Sequence, residues 1–394
     1  MATDTLQRVN RKIEAGRGGL RAKVSIPVLI AWVALLAYGA LVIWTASLTI
    51  SDASFSRQLL GIGMGAVLAL ICWRSDFSGL AGMATALLVL DIAIMFTPYI
   101  PGLSYNAKGM TGWIRFPIIG LTFQPVELAK VITIFLMASL GAQYNGKIDT
   151  VRDYAKLCAM LLVPFGAAVV AGDLGSGLVV FFSGAVIIMM SGPRKEWVLC
   201  TVALLIGLVS LVLALDSVLD SMLGHDVLLK QYQMNRLLVF IDPDLDASGA
   251  GYNLKQSLIA VGSGGFFGKG IGNASQAGAG FLPEAHTDFV FALLSEEFGF
   301  VGALALLALF ALLIFATIRV AYRCESMFLR LVCVGIVGMW TFQVLEEVGM
   351  CIGLMPITGI PLPFISFGSS SMLIQCGVVG IVQSIWRNSG KTIS

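Results

Sequence analysis

Few residues in this chain could do chemistry, and their spacing narrows what that chemistry would be. His286-Thr287-Asp288 places an imidazole, a hydroxyl and a carboxylate side by side at the entry to an apolar run. Two readings stand: Thr287 or Asp288 caps the coming helix, or Asp288 is a partly desolvated carboxylate whose pKa burial raises enough for it to act as a base. Glu127 and Lys130 are spaced i, i+3 inside another apolar run. That spacing puts them on one helical face where they can pair, either as a structural ion pair or as a cation held for use. Gln124-Pro125 just before them would start that helix, with Pro in its first turn. Asp173, in Gly172-Asp-Leu-Gly-Ser-Gly177, joins two apolar runs with almost no loop and suits an N-cap. Glu296-Glu297 and Glu346-Glu347 are adjacent acids in apolar surroundings, so at least one of each pair should face protein or a wet cavity. Asp91 stands alone in its apolar run.

Two chemistries are excluded. The run Gly262-Ser-Gly-Gly-Phe-Phe-Gly-Lys-Gly270 looks like a phosphate loop, but Walker spacing asks for Gly at 263 and Ser or Thr at 270, where the chain has Ser263 and Gly270. The seven cysteines show no CxxC or Cys/His spacing and read as small hydrophobes.

The elements that must position these groups follow from composition. Of 394 residues, 57% are hydrophobic and 12% charged, against about 25% charged in soluble domains, so a soluble globular enzyme is excluded. Net charge is +2, and without a long basic run nothing points to nucleic acid. Apolar windows fall near 25–47, 58–73, 79–100, 123–143, 155–172, 175–192, 197–215, 298–318, 329–351 and 364–386, which predicts an all-α integral membrane protein of about ten transmembrane helices. Arg8, Arg11, Lys12, Arg17, Arg21 and Lys23 precede the first window without a small-residue cleavage pattern, which reads as an uncleaved anchor. The chain divides into a basic cytoplasmic segment (1–24), a membrane domain (25–388) and a short cytoplasmic tail (389–394).

Most Lys and Arg fall on alternate connecting segments, so the positive-inside bias puts both termini in the cytoplasm. The segments 101–125, 172–177, 216–288 and 353–370, rich in Gly, Pro and polar residues, then all open on the outer face. The 216–288 loop between helices 7 and 8 is long enough that it must fold or be functional. ATP is absent on that side, so a reaction there draws its free energy from the substrate itself.

The same residues resemble the SEDS family (shape, elongation, division and sporulation; RodA and FtsW) over nearly all of the hydrophobic chain. The resemblance rests on Trp113-Ile114 with Phe123-Gln-Pro-Val-Glu-Leu-Ala-Lys130, and on Asp173-Leu-Gly175. It continues through Gly249-Ala-Gly-Tyr-Asn-Leu-Lys-Gln-Ser257 with Ala260-Val-Gly-Ser-Gly-Gly265 and Gly268-Lys-Gly270, and through Leu282-Pro-Glu-Ala-His-Thr-Asp-Phe289 with Glu296-Glu-Phe-Gly299. It ends on Gly353-Leu-Met-Pro-Ile-Thr-Gly-Ile-Pro-Leu-Pro-Phe-Ile-Ser366, which is more similar to the RodA branch than to FtsW. The resemblance implies a ten-helix peptidoglycan glycosyltransferase of the bacterial cytoplasmic membrane. Its substrate would be lipid II, an undecaprenyl-pyrophosphate disaccharide peptide, polymerised on the outer face during elongation beside a class B penicillin-binding protein and other elongation or division proteins.

By the same resemblance the family's catalytic acid falls on Asp288, and its other important polar positions on Glu127, Lys130 and Asp173. Trp113, Arg115, Gln124, Gln256, Lys269, His286 and Ser366 are further candidates for contacting substrate. The chain departs from the family at Gly112, where many members carry a basic residue that Arg115 could replace. It also departs at Ala171-Gly172, Ser366-Phe-Gly-Ser369 and Glu347, the last standing where Asn is common.

Forming a β-1,4 link from an α-linked sugar pyrophosphate requires inversion. Pyrophosphate leaves well, so one base with a cationic clamp suffices where inverting glycosidases need two carboxylates. Asp288 would take the acceptor 4-hydroxyl proton, and Lys130, oriented by Glu127, would offset charge on the pyrophosphate. No cofactor is established; a divalent cation (Mg or Mn) on Asp173 and Glu127 is the alternative to Lys130. The 262–272 glycines would let backbone approach sugar or phosphate, or form a flexible outer loop. The rival functions are a lipid II flippase or transporter, a scaffold that activates a penicillin-binding protein, and an FtsW-like septal role. The absence of a clear internal repeat and the crowding of polar loops on one face weigh against transport.

Overall fold

The computed structural model describes residues 23–102, 104–107, 110–115, 122–207, 210, 239–240, 242–246 and 249–389. Its longer helices are α1 (Ile26–Thr49), α2 (Phe55–Arg74), α3 (Ala84–Met95), α4 (Pro125–Ala142), α5 (Val151–Val170), α6 (Leu174–Met190), α7 (195–207), α8 (Ala250–Gly264), α9 (Val290–Arg323), α10 (Met327–Cys351) and α11 (Ser369–Asn388). Seven of them (α1, α2, α4, α5, α9, α10 and α11) are long and apolar enough to cross a membrane. The α3 region and α6 are shorter apolar helices, and of the expected 197–215 span only 197–207 and 210 are described. The basic segment 1–22, Lys108, and the 211–238 part of the long loop lie outside the described residues.

Local signals explain the starts. Pro125 occupies the first turn of α4, where its missing N–H costs nothing. Thr150 caps α5 by accepting the Asp153 N–H at 3.1 Å, and Asp173 caps α6 by accepting that of Ser176 at 2.8 Å. The α4 helix is buried on nearly every face and forms the bundle's centre, with α3, α5, α6, α10 and α11 around it. By contrast α2 buries only Gln58, Gly61, Gly65 and Ala69 and leaves Leu59, Leu60, Val67 and Ile71 outward. That small-residue stripe lets α11 come close: a Cβ on Gly65 would lie 2.8 Å from Cys376 Sγ, and one on Gly380 2.3 Å from the Ala69 carbonyl.

Two features depart from the expectation of uninterrupted helices and open loops. Within 101–125 the chain forms a three-stranded antiparallel sheet, β1 (Ser104–Ala107), β2 (Met110–Arg115) and β3 (Thr122–Phe123). Trp113 pairs with Tyr105 and Ile114 with Phe123, aromatic and β-branched residues suited to a pleated surface. The second is in α9, which begins at Val290 rather than near 298 and breaks at Gly299 (φ 66°, ψ −163°).

The glycine-rich segment packs directly on that break. A Cβ on Gly299 would lie 2.3 Å from Gly268 N. Phe300 and Val301 N–H groups donate to the Gly265 and Phe266 carbonyls, while Lys269 and Gly270 N–H groups donate to those of Glu296 and Glu297. Backbone freed inside a membrane protein must find partners internally, and here the loop supplies them. Within 262–272, Gly264 and Gly268 therefore serve close backbone packing against the broken helix, where a Cβ would lie 2.0 Å from the Ser295 carbonyl and 2.1 Å from that of Glu297, while Gly262 and Gly265 face open space.

Candidate functional site

Contacts between helix termini place the starts of α4, α6, α9 and α11 and the end of α10 at one end of the bundle. The 356–366 segment, between α10 and α11, organises them. Ser366 Oγ accepts the Leu362 N–H at 2.9 Å and donates to the Thr287 carbonyl at 2.7 Å. Phe367 N–H donates to the His286 carbonyl at 2.9 Å, and the two rings stand 5.5 Å apart. The His286-Thr287-Asp288 segment is thus held from a distant part of the chain. Its own turn is closed by Asp288 and Phe289 N–H groups on the Glu284 carbonyl.

At Asp288 the loop comes in as glycine. A Cβ on Gly359, whose φ is +74°, would lie 3.3 Å from Asp288 Oδ2. Positive φ and this close approach both favour glycine there. On either side, Thr358 and Ile360 meet the Asp173-Leu-Gly175 turn: a Cβ on Gly175 would lie 3.2 Å from the Thr358 carbonyl and 3.0 Å from Ile360. Asp173 is therefore more than a cap. Its Oδ1 takes the Ser176 N–H and its Oδ2 the Gln124 side-chain amide at 2.9 Å. Gln124 N–H in turn donates to Ser370 Oγ at 3.2 Å, at the start of α11.

One turn into α4, Lys130 Nζ lies 2.8 Å from Glu127 Oε1, with both side chains 1% exposed. Glu127 Oε2 has no hydrogen-bond partner among the described residues. Farther along α4, Thr133 donates to Asp91 Oδ2 at 2.7 Å, which gives the isolated Asp91 its partner. The small sheet leads into the same region, since β3 runs directly into Gln124. Trp113 is half-buried on β2, and the exposed Arg115 sits over the Tyr105 ring at 5.4 Å. Gly112 and Asp173 line a shared crevice with Pro125 and Val126.

The structure does not gather every expected residue. Lys269 donates to Glu296 Oε1 at 2.5 Å and to Ser275 Oγ at 2.7 Å, which commits its ammonium to the loop. Glu296 also takes the Ser275 and Gln276 N–H groups. Glu297 takes the Thr45 hydroxyl at 2.7 Å and the Gly272 N–H at 3.1 Å. Both acids face protein and staple the loop to α9 and α1. Gln256 is half-buried on α8, beside Ser257, which donates to the Cys351 carbonyl. Asp173 accepts the Ser176 N–H and the Gln124 amide, Glu127 holds Lys130 through Oε1, and no group of three or more His, Cys, Asp or Glu side chains that could hold a metal ion occurs among the described residues.

Other participants were visible in the sequence only as buried acids and loop residues. Thr358 donates to Glu346 Oε1. Glu347 takes the Phe291 N–H at 3.1 Å. An apolar cavity of about 320 Å³ adjoins them, lined by Val261, Phe291, Ser295, Phe300, Leu307 and Val348 among others.

A sequence model of the FtsW, RodA and SpoVE family, described as a cell cycle protein, matches residues 26–391. The chain is 34% identical over 359 residues to the peptidoglycan glycosyltransferase MrdB of Escherichia coli (strain K12), covering 91% of this chain and 92% of that one. A chain from a solved peptidoglycan synthase complex that coordinates polymerization and crosslinking superposes with TM-score 0.72 at 28% identity, covering 93% of this chain and 98% of that one. The crystal structure of the rod shape determining protein RodA from Thermus thermophilus superposes with TM-score 0.65 at 26% identity, covering 93% and 97%.

Proposed function

From the FtsW, RodA and SpoVE family, to which this chain belongs, we infer that it is a peptidoglycan glycosyltransferase that polymerises lipid II. The face carrying Asp288 is the outer one, and both termini are cytoplasmic. The service is elongation, as in the RodA branch, with a class B penicillin-binding protein alongside. The observation that carries the reading is Asp288 itself, a carboxylate clamped by the 356–367 segment at the end of the bundle where four helices start.

In this reading Asp288 accepts the proton of the acceptor 4-hydroxyl. The oxygen's electron pair forms the new glycosidic bond on the face opposite the pyrophosphate, which leaves with its own bonding pair. A hydroxyl activated only as it attacks gains from a base within hydrogen-bond reach. Lys130, held by Glu127, offsets the charge on the departing pyrophosphate. Trp113, Arg115 and His286 contribute to substrate contact. The lipid chain takes the apolar cavity at Phe291 and Val348, which is large enough for part of a ligand.

The test is chain synthesis from lipid II by the purified full chain, with and without a class B penicillin-binding protein, comparing wild type with Asp288→Asn. Glycan strands from wild type and a loss of at least ~100-fold in the Asn variant are expected. The buried polar groups along α4, Glu127, Lys130 and Thr133 with Asp91, keep transport as a second reading. Lipid II crossing vesicle bilayers without polymer from either protein would favour it and sink the first.

A further inference from the structure

Thr358 stands between the two acids of the site. Its carbonyl lies against the Asp173-Leu-Gly175 turn, and the next residue, Gly359, lies against Asp288, where a Cβ would be 3.3 Å from Oδ2. The position of this stretch therefore sets what one side of the Asp288 carboxylate meets. Little in the backbone fixes it. Among the described residues, 356–361 make no backbone–backbone hydrogen bond, and Pro356 and Pro361 have no N–H to give. The bonded part of the segment begins at Leu362, whose carbonyl takes the Ile365 and Ser366 N–H groups. A stretch without a ladder keeps its conformational freedom unless side chains hold it.

The chain reaches such a hold by doubling back on α10. Gly353, at φ +72°, turns it, and the Leu354 and Met355 N–H groups both donate to the Gly349 carbonyl, at 2.7 and 3.2 Å. A Cβ on Gly349 would lie 2.8 Å from Met355 Cγ, so glycine lets the returning chain come close. One turn deeper along α10, Glu346 is 1% exposed, and its Oε1 accepts the Thr358 hydroxyl, twelve residues on. A buried acid in an apolar helix asks for a use, and this one reaches the stretch that the backbone leaves loose. We propose that Glu346 is a positioning residue: through Thr358 it fixes the 357–360 stretch, and with it Gly359, against Asp288, so that the carboxylate keeps the orientation in which it meets the acceptor hydroxyl. The use of that orientation rests on the glycosyltransferase reading; the hold on the loop does not.

The test compares variants of the full chain that delete this bond with variants that keep it. Thr358→Val removes the donor and Glu346→Leu the acceptor, while Thr358→Ser and Glu346→Gln retain a hydroxyl and an oxygen. Chain synthesis per folded molecule should lose at least ~10-fold in kcat in the first two, since misplacement by about 1 Å costs more than that. KM for lipid II should stay within about twofold, because the loss falls on the transition state. The conservative pair should retain most of the activity. The double variant Glu346→Leu/Thr358→Val should fall no further than either single, since both delete one bond. Wild-type kcat in folded Thr358→Val would overturn the proposal, as would losses that multiply in the double variant or a change confined to KM. If Glu346→Leu does not fold, Thr358→Val against Thr358→Ser decides alone.

Amide hydrogen exchange needs no substrate. The Leu362 N–H is bonded to Ser366 Oγ, and those of Ile365, Ser366 and Phe367 to backbone carbonyls, so a peptide across 357–367 is protected while the segment is held. Its exchange should quicken several-fold in Thr358→Val and not in Thr358→Ser; equal exchange in both would overturn the proposal. If wild type makes no glycan, the glycosyltransferase reading fails, and the exchange still decides whether Glu346 holds the loop.

Discussion

Lys130 shows how far a single residue can be argued. Its ammonium is 1% exposed and bound to Glu127, so removing it alone strands a buried carboxylate. Lys130→Met should cost about 3–5 kcal/mol of stability, read as an earlier thermal transition in detergent. The double variant Glu127→Gln/Lys130→Met removes both charges and should recover most of that stability. Chain synthesis should stay lost in it if Lys130 offsets pyrophosphate charge; recovery of synthesis would remove Lys130 from the mechanism. The i, i+3 pairing was legible in the sequence because helix geometry alone sets it. The role of Lys269 was not, because Glu296 and Ser275 reach it only through the broken helix.

Among the elements, the 356–366 segment carries the most consequence. It presents Gly359 to Asp288, Ser366 to Thr287 and Thr358 to Glu346. Its course is fixed by Phe364, a buried non-glycine residue at φ 66°, a conformation that persists only where its surroundings impose it. Gly39 of α1 is one such neighbour: a Cβ there would lie 2.2 Å from the Phe364 carbonyl. Gly39→Ala should therefore displace the segment and lower chain synthesis at least ~10-fold, since misplacement of a site by about 1 Å costs more than that. Glycan assays beside a melting curve check it, and unchanged activity would mean the segment adapts. At the α6 start, Asp173→Ala should lose about 1 kcal/mol of capping together with the tie to Gln124. Asp173→Asn should keep most of the stability, as separate melting curves would register. Capping was legible from Gly172-Asp-Leu-Gly175; the bond to Gln124 joins residues 49 apart in sequence and was not.

For the whole molecule, alternation of helix ends puts Lys147, Arg152, Arg194, Arg330 and Arg387 opposite the Asp288 end. The positive-inside bias then makes the Asp288 end external. In a cysteine-free background, Cys at position 244, where the Asp244 side chain is 81% exposed, should react with an impermeant maleimide on intact cells. Cys at position 147, where the Lys147 side chain is 79% exposed, should react only after permeabilisation. The opposite pattern would invert the molecule and end the proposal of outer-face chemistry.

The sequence by itself determined the helical membrane class, most span positions, the Glu127–Lys130 pair and the Asp173 cap. Each of these follows from hydropathy or from spacing within one or two helical turns. Only the tertiary structure decided that Gly359 meets Asp288, that Gly264 and Gly268 pack on the broken part of α9, that the 101–125 segment contains a small sheet, and that Glu347 caps a helix other than its own. Those depend on contacts between segments far apart in the chain, where the partner is chosen by packing and by the need of each buried backbone group for a hydrogen bond, and no local pattern encodes which partner that is.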